Sequence, residues 1–126
     1  MTDPKPTDAE LQLLRILWSI GPNTVREVHR HLEALRGTDV AYTTVLKLLQ
    51  VMHDKGLVAR DTSERSHVYA PTFAEDQVTG ALVDDLVRKA FDGSASRLVM
   101  RALSDRPADP DEIAEIRALL DRLEER

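Results

Sequence analysis

Three short stripes of apolar residues at helical spacing, a pair of strand-like runs around a polar turn, and three further helical segments follow one another along the chain. That order predicts a mainly α fold: a winged helix-turn-helix with a helical unit behind it.

The first stripe lies in TDAELQLLRILWSIGP, where Leu11, Leu14, Ile16, Leu17 and Trp18 follow a cap at Thr7 and the run stops at Gly21-Pro22. This predicts a helix of about three turns. NTVREVHRHLEALRG supplies the second helix. Thr24 stands at its N-cap with Glu27 at capping-box spacing, Val25, Val28, Leu32 and Leu35 form the inward stripe, and Gly37 ends it. In the third, VAYTTVLKLLQVMHDKG, Val45, Leu48, Leu49 and Met52 fall at i, i+3, i+4 and i+7, one buried face. The opposite face carries Thr43, Thr44, Lys47, Gln50 and Asp54, and Gly56 takes the C′ position. LVARDTSERSHVYAP then reads as two strands, residues 57–61 and 67–70, around a turn over residues 62–66.

The second part begins near Phe73. Val78, Leu82, Leu86 and Ala90 keep helical spacing up to Gly93, and SASRLVMRAL is a short amphipathic helix. The last helix has a strong start at Asp109-Pro110-Asp111-Glu112, with Asp as cap, Pro at N1 and acids in the first turn. Its seam, Ile113, Ile116, Leu120 and Leu123, is a coiled-coil stripe too short to be stable alone. Such a stripe is usually intramolecular core. Here the three helices hold too few large residues for an independent monomeric core, and small helical units commonly solve that by pairing. The expected division is residues 1–72, a winged-helix domain, and residues 73–126, a helical domain; the resemblance given below assigns DNA binding to the first and dimerisation to the second.

Composition bounds the function. Among 126 residues 42% are hydrophobic but only 4% aromatic, which suits a core of packed aliphatic helices. With no cysteine, disulfides, cysteine nucleophiles and zinc-finger sites are excluded. The start, MTDPKPTDAE, lacks the apolar core of a signal peptide, and no apolar run approaches membrane-spanning length, so a soluble cytoplasmic protein without a membrane partner is expected. The net charge of −5 argues mildly against nucleic acid, but it is uneven. Residues 1–75 hold 9 Lys/Arg against 10 Asp/Glu and residues 76–126 hold 8 against 12, so the first part is close to neutral and local geometry decides whether it meets DNA.

For the third helix, small hydroxyl residues at the N-terminal end permit close approach to base edges, and Lys47, one turn on, reaches a guanine edge or a phosphate. The same residues also fit a plain solvated helix face. DVAYTTVLKLLQVMHDKGLVARD, with TVREVH before it and SHVYAP after it, resembles the penicillinase-repressor (BlaI/MecI) family of bacterial transcription repressors. The similarity runs on through RLVMRALSDRPADPDEIAEIRALLDRLEER and so covers nearly the whole chain.

The resemblance implies a dimeric winged-helix repressor on a palindromic operator. Thr43 and Thr44 occupy the base-reading seats, Lys47 shares their face, and Tyr42 flanks the DNA backbone. Thr24 and Arg26 stand where the second helix's N-terminus attracts a phosphate. Arg65, Ser66 and His67 belong to the wing, and Lys55 and Arg60 are further phosphate contacts. The chain departs from the family at Ala41, which offers no side-chain cap, so that Asp39 or the backbone must supply one, and at Val51, where a basic residue is common. Dimerisation falls to Leu82, Leu86, Leu98, Val99, Ile113, Ile116, Leu120 and Leu123. Family members can be inactivated by a regulatory protease that cuts the helix reading SRLVMRALSDR here, commonly at Asn-Phe; the aligned pair is Arg101-Ala102, so the usual recognition residues are missing. Control of β-lactam or cell-wall-stress response genes is implied.

Other chemistry finds little support. His29 and His31 point to different helix faces, and His29 with Glu33 makes two ligands where a stable metal site needs more. The copper-responsive relatives use cysteine motifs that are absent here. No nucleophile elbow, phosphate-cradling loop or zincin motif occurs, so neither an enzyme nor a cofactor is expected. The alternative is a winged-helix module for protein association without sequence-specific DNA binding.

Overall fold

A computed structural model describes residues 5–126. Six helices and three short strands follow in the order α1 (Asp8–Ile20), β1 (Asn23–Thr24), α2 (Val25–Arg36), α3 (Tyr42–Asp54), β2 (Val58–Asp61), β3 (Val68–Pro71), α4 (Glu75–Ala90), α5 (Ala95–Asp105) and α6 (Pro110–Glu124). The described residues divide into two compact units, one ending at Val83 and the other Asp84–Arg126. The division falls inside α4. The first turn of α4 explains this: Val78 is fully buried, and the Trp18 indole N–H donates to the Phe73 carbonyl at 3.0 Å.

Local rules account for the first unit. Thr7 and Glu10 form a complete capping box, the Thr7 hydroxyl accepting from the Glu10 N–H at 3.2 Å and the Glu10 carboxylate from the Thr7 N–H at 2.9 Å. Thr24 caps α2 by accepting from the Glu27 N–H at 3.3 Å. That second box is only half formed. The Glu27 carboxylate turns to Arg30 at 2.9 Å, while the Thr24 N–H donates to the neighbouring Asn23 side chain at 3.2 Å. Gly37 closes α2 in the left-handed region, φ 69° and ψ 21°, which costs a glycine little.

Leu13, Leu14 and Leu17 of α1, Val28 and Leu32 of α2, and Val45, Leu49 and Met52 of α3 meet in the core, with Leu57, Val58 and Tyr69 closing it from the sheet. Leu48 packs at its edge. Leu35 is 58% exposed rather than inward, because the last turn of α2 runs past the core. Glu10, which the apolar pattern passes over, is 2% exposed and its carboxylate accepts from the Lys55 ammonium at 2.8 Å.

The sheet has the antiparallel order β1-β3-β2. β2 and β3 form the expected hairpin, each beginning one residue later than predicted. β1 was not expected. It pairs Asn23 with Tyr69 and Thr24 with Val68, joining the start of α2 to the strand that leaves the wing.

In the second unit the cap prediction at α6 holds: the Asp109 carboxylate accepts from the Glu112 N–H at 2.9 Å, with Pro110 in the first turn. α5 is capped by Ser94, which accepts from the Arg97 N–H at 3.2 Å. Neither α5 nor α6 contains a buried residue.

Candidate nucleic-acid interface

Three elements of the first unit present side chains to one side. The N-terminus of α2 follows its Thr24 cap, α3 starts at Tyr42, and the wing runs from Arg60 through the turn to His67. A concavity of about 510 Å³ lies among them, lined by Thr24, Arg26, Tyr42, Arg60, Arg65, Ser66 and His67 together with Gln50. Those first seven residues come from separate parts of the sequence, and the β1–β3 pairing explains their meeting. Because Thr24 is register partner to Val68, the α2 N-terminus and the His67 end of the wing are held side by side. In the β2–β3 ladder Arg60 faces Tyr69 across the strands. Cross-strand partners share a sheet face. The buried Tyr69 ring therefore backs the concavity while Arg60 stays exposed at its edge.

Thr43, Thr44 and Lys47 are exposed on α3, one face away from the fully buried Val45, Leu49 and Met52. Tyr42, 46% exposed, stands at the junction between that face and the concavity. Charge follows the same division. Arg30 is paired with Glu27 and Lys55 with Glu10, and Arg36 is held by Gln12 at 2.7 Å. Arg26, Lys47, Arg60 and Arg65 make no ion pair among the described residues, so their charge is available to an incoming anion.

Lys55 is the exception within the predicted set. Its ammonium is engaged by the buried Glu10 carboxylate, so Lys55, just past the end of α3, also fastens α3 to α1. Burial pushes the Glu10 carboxyl upward. Hydrogen bonds from Lys55 and from the Thr7 N–H, with the Lys55 charge, outweigh this and hold it below its ordinary value of 4.5. In the wing, Asp61 accepts from the Ser63 N–H at 2.9 Å, which lowers its pKa and shapes the turn that presents Arg65 and Ser66.

At the start of α3 the Ala41 cap makes no side-chain hydrogen bond, and Asp39 does not supply one. His29 and Glu33 of α2 meet the chain there instead, at Val40. Sequence spacing had brought that pair forward only as weak metal ligands, and no group of three or more metal-ligating side chains occurs among the described residues. In the sequence Gln50, on the concavity wall, is only part of the polar face, since nothing in its spacing separates a groove-lining residue from a solvated one.

In the second unit, the predicted seam residues Leu86, Val99, Ile113, Leu120 and Leu123 are 46%, 48%, 39%, 51% and 45% exposed, while Leu98 and Ile116 are half-buried; Leu82, also half-buried, falls in the first unit. Met100, Leu103 and Leu119 join this apolar surface without having been predicted. Arg101 and Ala102 lie inside α5, where Arg101 pairs with Asp105 at 3.5 Å. No described helix is long and apolar enough to cross a membrane.

Comparison with known proteins bears on both units. The penicillinase repressor family model matches residues 6–122. The transcriptional regulator BlaI of Mycobacterium tuberculosis (strain H37Rv) is 36% identical over 118 residues, covering 93% of this chain and 83% of that protein. Among solved structures, the Bacillus licheniformis BlaI monomeric form in complex with the blaP half-operator shares 24% identity over 60% of this chain and 90% of its own, with a TM-score of 0.50. RosR of H. salinarum shares 21% identity over 96% of each chain, with a TM-score of 0.57. These last two likenesses are likenesses of fold.

Proposed function

The chain belongs to the penicillinase repressor family, a family of DNA-binding transcriptional regulators and not of enzymes, and we propose that it represses transcription as a homodimer on a palindromic operator. The observation that supports the site is the gathering of Arg26, Arg60, Arg65, Ser66 and His67 from three elements around one concavity, beside the exposed Thr43, Thr44 and Lys47. α3 enters the major groove, where the two threonines hydrogen-bond base edges or touch a thymine methyl and Lys47 reaches a guanine edge. Arg26 and the free N–H groups at the start of α2 hold one phosphate, and the wing lies over the flanking backbone with Arg60 and Arg65 toward phosphates. Phosphate contacts set register and supply affinity; the α3 face supplies discrimination.

Dimerisation is the second part of the proposal. Its support is an apolar surface on α5 and α6, helices in which no residue is fully buried. Covering that surface with a second copy removes it from water at a gain of about 25 cal/mol per Å². It also joins two winged helices, whose half-sites should then be centred about one turn, roughly 10 bp, or a multiple apart. The functional division follows as residues 1–72 for DNA and 73–126 for assembly. Work on chromosomal DNA puts the protein in the cytoplasm, and the regulated genes fit a β-lactam or cell-wall-stress response. A regulatory protease that cut α5 at Arg101-Ala102 would free α6 and dismantle the pair.

Titration against operator and random duplexes at two salt concentrations tests the reading. Operator binding should exceed random binding at both, and both should weaken linearly in log salt. Equal affinity for all duplexes would leave only the protein-association module.

A further inference from the structure

We propose that His29 and Glu33 are positioning residues for DNA recognition, holding the residue before the α3 cap at both of its backbone groups and so fixing how the recognition helix leaves α2. The inference rests on the DNA-reading role proposed above for α3.

Of the three helices α1 to α3, only α3 starts without a side-chain cap. α1 has a complete capping box and α2 a threonine cap, whereas Ala41 has no side chain able to accept from the first turn. What fixes the chain here comes from α2. His29 Nε2 lies 2.7 Å from the Val40 carbonyl oxygen, and the Glu33 carboxylate accepts from the Val40 N–H at 3.1 Å. A carbonyl only accepts, so His29 Nε2 must carry the hydrogen, which settles the tautomer if the ring is neutral. The two side chains are one turn apart, with Nε2 and the carboxylate at 3.6 Å. Together they grip one peptide residue from both sides. The His29 ring also meets Tyr42, the first residue of α3, edge-on, with centroids 5.7 Å apart and planes at 70°. That geometry falls in the favourable range for aromatic pairs.

The grip is not what keeps the helices together. Val28 and Leu32 of α2 and Val45 and Leu49 of α3 are fully buried and do that, whereas the His29 and Glu33 side chains are 18% and 32% exposed. What the grip adds is angle and register. Arg26, directed at a phosphate, is one turn before His29 on α2. Thr43, Thr44 and Lys47 begin just after Tyr42 on α3. His29 thus stands between the residue that sets the protein on the backbone and those that read bases. A recognition site needs its groups held to within about 0.5 Å.

Operator fragments selected from random duplexes with the wild-type full chain provide the probe. H29A should shift the backbone amide resonances of Val40, Tyr42 and Thr43. It should lower operator affinity about tenfold, equivalent to about 1.4 kcal/mol, while affinity for random duplex and the melting temperature stay near wild type. H29Q, whose amide N–H can reach the same carbonyl, should recover most of the loss. E33A should repeat the loss and E33Q, which keeps an acceptor for the Val40 N–H, should not; this second pair serves if H29A fails to fold. Unchanged operator affinity in both alanine variants, an equal loss on operator and random DNA, or an H29Q as weak as H29A would each overturn the proposal. K47A, run alongside, tests the underlying reading separately: an unaffected operator affinity there condemns the α3 face and not the grip.

Discussion

The two units are made of helices of similar length, 13, 12 and 13 residues in α1 to α3 of the first against 11 and 15 in α5 and α6 of the second, yet they solve burial differently. The first sinks leucines and valines from three helices below 2% exposure and closes them with Tyr69. The second keeps Met100 at 68% exposure and Leu120 at 51%. A helix gains stability mainly from the apolar face it packs. The first unit is therefore complete within one chain, and the second has its stability tied to whatever covers it. The same leucine carries a different meaning in each: a closed core at Leu49, an open surface at Leu120.

The sharpest way to break the comparison is to separate the units. A chain ending at Val83, which keeps the buried Val78 and the Trp18–Phe73 hydrogen bond, should fold as a monomer and bind a full operator about 10² to 10⁴-fold more weakly, the factor lost with bivalent attachment. Sedimentation and operator titration read both outcomes, and undiminished affinity would remove the second unit from DNA binding. Next in size are paired leucine truncations. Leu49→Ala should cost about 2 to 5 kcal/mol at every protein concentration, since it opens a cavity in a closed core. Leu120→Ala should instead give a melting temperature that falls on dilution. Within the first unit, Lys47→Ala should leave folding intact and cost about 1 to 3 kcal/mol on operator alone. Arg26→Ala should weaken all duplexes alike and reduce the salt slope by about one.

The smallest expected effect concerns acid. Glu10 has its pKa lowered in the folded chain, so its pairing contributes stability that is fully present above the ordinary value of 4.5 and is lost as pH falls through the depressed one. Glu10→Gln should flatten that part of the acid-unfolding curve. Lys55→Ala should cost about 1 to 3 kcal/mol near neutrality by leaving a buried carboxylate short of a donor.

Much of this organisation was legible in the sequence, for reasons that differ by residue. Thr7, Thr24 and Asp109 announce their helices because a cap acts within three or four residues, and Val45, Leu49 and Met52 announce the core because periodicity is local too. Two of the misses are long-range and one is local. Nothing near Asn23-Thr24 reveals a two-residue strand whose partner is Val68-Tyr69. Glu10 sits in an apolar helix as a capping-box acid, and the chain shows no sign that Lys55 will reach it. Glu27 has capping-box spacing, but Arg30 competes for its carboxylate. Of the predicted DNA contacts, the residues on α3 follow from its polar face, whereas the meeting of Arg26 with Arg65 and His67 depends on β1 and became visible only with the fold.

That two-residue strand also bears on the order in which the chain takes shape. Helices and the neighbouring contacts of α1, α2 and α3 form from residues close in sequence, but Thr24 cannot meet Val68 until a long intervening loop is closed, and such closures are slow and entropically costly. Pulse-labelled hydrogen exchange should therefore find the Leu49 amide protected before that of Tyr69. On the ribosome the three helices can assemble while the wing is still being made. The concavity proposed to meet DNA is complete only after Pro71 has emerged, so an unfinished chain has the exposed α3 face without the wing beside it.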